Sequence, residues 1–227
     1  MLDMSAVESL TPSQITDAFL RDVPHKLLAA LLRATLVHYI QSSEYCFTNL
    51  RPAQAKDLSG HHRRASIEDE WLGIADRFKP DVTAEELPYK RNTGSYVELT
   101  IGRVKMTQSC VLTKDHLPRE ADFRETLAST GQLGLFEGYG DVDRPETYCL
   151  YALLIHGVDT SVAKRKRCSF AYVRFPYGDC KSYIGGSIDI FAMFPEIVEE
   201  FYPKPVEEKD LALPLTAKKA KKAAGAE

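Results

Sequence analysis

The sequence predicts an α+β fold: a helical N-terminal layer packed on a mainly antiparallel sheet of about four strands. Three observations carry that expectation. Apolar residues recur at helical spacing through the first third of the chain, and from residue 94 the period drops to two. The strand-like segments also come as neighbouring pairs rather than alternating singly with helices. One domain is expected over 1–203, helical over 11–80, strand-rich over 94–176 and helical again over 187–201. The alternating acidic and lysine-rich stretch 204–227 is expected to be a flexible charged tail.

The elements follow in order. Thr11-Pro12 supplies an N-cap and a proline at the first helical position of "SQITDAFLRD". Pro24 opens a second helix whose leucines (Leu27, Leu28, Leu31, Leu32, Leu36) cover more than one face, as a helix packed on two sides requires. Ile67, Trp71, Ile74 and Phe78 mark a third helix from about Ala65, ended by Pro80. In "SYVELTIGRVKMTQSCVL", Val97, Leu99 and Ile101 alternate with polar neighbours, and the alternation resumes after Gly102-Arg103. This predicts a hairpin or a bulged strand. A short helix follows Pro118, then a glycine-rich loop. "TYCLYALLIHGV" is apolar on both alternating faces and is expected at the centre of a covered sheet, with "CSFAYVRF" as its antiparallel neighbour.

Composition narrows the function classes. With 227 residues, 44% hydrophobic and 27% charged, the chain can bury a core without disulfides or metal. A net charge of −3 provides no global cationic field, so any nucleic-acid contact has to come from a local patch. The first residues lack the basic start and apolar stretch of a signal peptide, and no apolar run reaches the ~18 residues of a membrane span. Five widely spaced cysteines without a C-x-x-C pair read as free thiols in a reducing cytoplasm, with no zinc site. No membrane partner is expected; oligomeric state is left open.

Local chemistry concentrates in "KRKRCSFAYVRFPYG", where Lys164, Arg165, Lys166 and Arg167 precede an aromatic strand. The stretch "FAYVRF" resembles the second half of the strand signature of the RNA-recognition-motif family, through Phe170, Ala171, Tyr172, Val173 and Phe175. Cys168 and Ser169 stand where that signature has a cation and a glycine, and the partner strand lacks its aromatic, so no family is assigned. On a strand Phe170, Tyr172 and Arg174 share one face. Exposed rings there could stack on bases at roughly 1–3 kcal/mol each.

A second cluster, "GHHRRAS", places Arg63 and Arg64 just before the Trp71 helix, where arginine forks and a helix N-terminus together favour phosphate. The carboxylates Glu98, Glu70 and Asp76, with Lys105, are the residues a metal-dependent nuclease would use, although no compact acid-x-lysine element is present. His156 ends a buried strand, where it could serve as a base or as a strand-end hydrogen-bonding group. The glycines of "GLFEGYGD" open no helix, and "GGSID" is not a nucleophile elbow. No motif calls for a cofactor, and no metal site is assigned.

The resulting expectation is an intracellular, non-catalytic binding or regulatory protein. It would contact nucleic acid through Lys164–Arg167, the Phe170–Arg174 strand, and Arg63 with Arg64. A metal-dependent nuclease built around Glu98 is the alternative. A protein-interaction partner docking through the N-terminal helices is the second alternative.

Overall fold

The computed structural model describes residues 11–90, 94–136, 149–158 and 167–203. Helix α1 (Pro12–Asp22) starts as the sequence requires: the Gln14 amide donates to Thr11 Oγ1 and the Thr11 amide donates to Gln14 Oε1, a reciprocal capping box. Helix α2 (His25–Asn49) follows Pro24, and its leucines are buried all round. It packs along helix α3 (Pro52–Arg77), whose Ile67, Trp71 and Ile74 enter the same core. Trp71 is fully buried, and its truncation to alanine is worth about 3–5 kcal/mol.

Helix α3 is longer than the apolar stripe predicts. It begins at Pro52, so Gly60–Ser66 lies well inside it and not at its N-terminus. The helix-end attraction for phosphate expected at Arg63 and Arg64 therefore does not operate there. The polar residues that mask this half of the helix are satisfied laterally by α2. His62 stacks on Tyr45 (4.9 Å) and shares a hydrogen bond with Ser42 Oγ (2.9 Å).

The sheet has six strands in the order β1-β2-β3-β4-β5-β6: Val82–Pro88, Ser95–Ile101, Val104–Cys110, Leu150–Gly157, Phe170–Arg174 and Ile188–Asp189. The four expected strands are β2 to β5, and the two additions are its edges. β1 buries only Val82, so its sequence shows no alternation to detect, and β6 has two residues. Gly102 takes φ +54° in the two-residue turn between Ile101 and Val104, closing the predicted β2–β3 hairpin. Neighbours pair antiparallel except β3 with β4, which run parallel. Parallel strands need a crossover, and helix α4 (Asp122–Phe136) lies in that connection.

One sheet face, carrying Val97, Leu99, Ile101, Val104, Met106, Leu150, Ala152, Leu154, Ala171, Val173 and Phe175, packs on the helical layer. The other carries a smaller cluster of Val111, Leu153 and Ile155 with Phe170 and Tyr172, and part of it lies beneath α4. β4 is buried at every residue, as its two apolar faces predict. The helix expected over 187–201 is divided: β6 leads into α5 (Ile190–Met193), and α6 (Pro195–Phe201) restarts at Pro195. The expected tail lies outside the described residues. No described helix is long and apolar enough to cross a membrane.

Candidate functional site

Four buried polar side chains on the helical face, Glu68, Gln108, His156 and Tyr39, form one connected chain. Gln108 on β3 and His156 on β4 both fall in the apolar phase of their strands, after Val104 and Met106 and after Leu150, Ala152 and Leu154. They point into the helical layer and must find partners there, because an unmade hydrogen bond at such a site costs ~1–3 kcal/mol. Gln108 Nε2 donates to Glu68 Oε1 (3.0 Å), and its Oε1 lies 2.7 Å from His156 Nε2. His156 Nδ1 lies 2.9 Å from the Tyr39 hydroxyl, which in turn lies 3.6 Å from Cys110 Sγ. Arg64 Nη1 completes the far end, 3.4 Å from Glu68 Oε2.

The proton positions follow from that order. Gln108 presents its carbonyl oxygen to His156, so Nε2 carries the imidazole proton. Burial, and secondarily the charge of Arg63, push His156 down to about 3, so the ring is neutral and Nδ1 accepts. Tyr39 therefore donates to His156, and its oxygen is left to accept from the Cys110 thiol. Burial raises the Tyr39 phenol well above its ordinary range, which keeps it a donor. Glu68 is also pushed up by burial, opposed by Arg64 and by the Gln108 hydrogen bond. Every member is held in a single orientation.

Arg63 stands against this satisfied chain. It is 6% exposed, and its guanidinium carbon lies 3.9 Å above the Tyr39 ring centre. Its Nε has no hydrogen-bond partner, and no carboxylate among the described residues pairs with it. Tyr202 lies just past α6. Its hydroxyl accepts from the Cys168 amide (3.0 Å), and exposed Arg167 sits over its ring at 5.1 Å. The Cys168 thiol, pushed up to about 12 by burial, and the Tyr202 phenol, also raised by burial, both feel the charge of Arg63.

The remaining expected residues separate. Arg64 points to another part of the molecule, donating to the Tyr89 hydroxyl (2.7 Å) and the Ser95 carbonyl (3.0 Å). Phe170 and Tyr172 lie on the opposite sheet face, half-buried against Val111, Leu153 and Ile155. The Phe170 ring covers Gly157 so closely that a Cβ there would come within 2.6 Å of it. Arg174 reaches the Lys114 carbonyl (3.2 Å) and lies over the Tyr172 and Tyr183 rings, tying the segment after β3 to β5. Lys164, Arg165 and Lys166 lie outside the described residues.

The nuclease carboxylates are partly gathered. Glu98 is buried and bonded to Lys105 Nζ at 2.5 Å, with Glu85 opposite it across the β1–β2 ladder. Glu70 and Asp76 turn elsewhere, to Arg77 and Lys79. No group of three metal-ligating side chains occurs among the described residues. Comparison with protein-family models, with curated proteins and with solved structures finds no match to this chain.

Sequence reasoning missed Tyr39, Glu68, Gln108 and Tyr202. The readable signal was a polar residue in the apolar phase of two strands, at Gln108 and His156. Nothing local marks Tyr202.

Proposed function

We propose that this chain is a non-catalytic binding protein that takes single-stranded nucleic acid beside Arg167 and the ring of Tyr202. The observation that carries this reading is the guanidinium of Arg167 lying over the ring of half-buried Tyr202 at 5.1 Å. Cations beside an aromatic ring suit a phosphate chain with unpaired bases, and the basic run Lys164–Arg167 leads directly to this point in sequence. The Phe170–Tyr172 face contributes less, because half of each ring's environment is protein and Phe170 fills the space above Gly157.

The test is a mobility-shift measurement with single-stranded RNA and DNA. Binding is expected to weaken steeply with salt and to be lost when Lys164, Arg165, Lys166 and Arg167 are all changed to alanine. Equal binding by that variant and the wild type would remove nucleic acid from the reading. Including magnesium or manganese in the same assay addresses the nuclease alternative: cleavage abolished by Glu98→Ala would replace the binding reading with a hydrolytic one.

A further inference from the structure

We draw no further inference here: the strongest candidate, the open cleft between Lys90, Gly178 and the Asp122, Glu125, Thr126 and Ser129 face of α4, sets two carboxylates beside hydroxyls already bonded to helix carbonyls, and nothing in the structure shows what would occupy it.

Discussion

The two faces of the sheet deal with buried polarity in different ways. On the helical face Glu68, Gln108, His156 and Tyr39 form a chain in which each donor has one acceptor, and the charge left over is the guanidinium of Arg63. On the opposite face polar groups meet in pairs, Lys105 with Glu98, Thr107 with Tyr151 and Arg174 with the Lys114 carbonyl, and Arg174 Nε is left without a partner. A pairwise arrangement can lose one member and disturb one neighbour. A chain transmits the loss, because satisfied networks in a low-dielectric interior are worth more than the sum of their bonds.

Breaking the chain at its centre should give the largest effect. His156→Leu strands both Gln108 and Tyr39, and a loss of about 4 kcal/mol in urea unfolding is expected. Against it stands the most crowded point of the other face. At Gly157 an added Cβ would lie 2.2 Å from the Val111 carbonyl oxygen, so Gly157→Ala forces backbone apart and should cost about 3 kcal/mol. Phe170→Ala together with Gly157→Ala should recover less than half of that, since the carbonyl clash remains.

Acid sharpens the comparison further. His156 is neutral in the folded chain down to about pH 3, whereas in the unfolded chain it protonates around its ordinary 6.5. Below pH 6.5 the unfolded state therefore binds the extra proton. The stability that depends on the neutral ring is complete above 6.5 and falls by up to ~1.4 kcal/mol per pH unit as the pH drops toward 3. His156→Gln should remove that slope between pH 6.5 and 5 in parallel urea titrations; an unchanged slope would assign it to other groups. Tyr39→Phe is a smaller cut, about 1.5 kcal/mol, because it leaves one imidazole nitrogen without its donor. Smallest is Arg33→Ala, which removes an exposed ion pair with Glu200 and should change stability by less than ~0.5 kcal/mol in thermal unfolding.

What could be read in advance divides along physical lines. The Thr11 cap, the two-sided leucine helix, the Gly102 turn and the buried β4 all rest on local chemistry or on apolar periodicity, and they occur where expected. The first half of α3 does not, because Gly60 to Arg64 offer no apolar stripe. Those residues are helical because α2 supplies ring and hydroxyl partners across the hairpin, which no local pattern records. β1 escaped for a related reason: an edge strand that buries one residue leaves the alternation unwritten. At the candidate site the basic run ending at Arg167 was visible in the sequence, but the contact of Arg167 with Tyr202 joins the approach to β5 with the end of α6, which no local pattern records. Arg63 and Arg64, adjacent in sequence, were read as a unit; on a helix they point in different directions and serve different neighbours.

The edges of the sheet bear on how copies of this chain meet. An open ladder of unpaired amides and carbonyls invites another molecule to extend it, a common start of aggregation. Here one margin carries Glu85, Glu86 and Pro88, and the other is a strand of two residues followed at once by a helical turn. A second copy approaching either margin meets like charge, a missing donor, or too few groups to hold. The sheet ends in residues that discourage its own continuation.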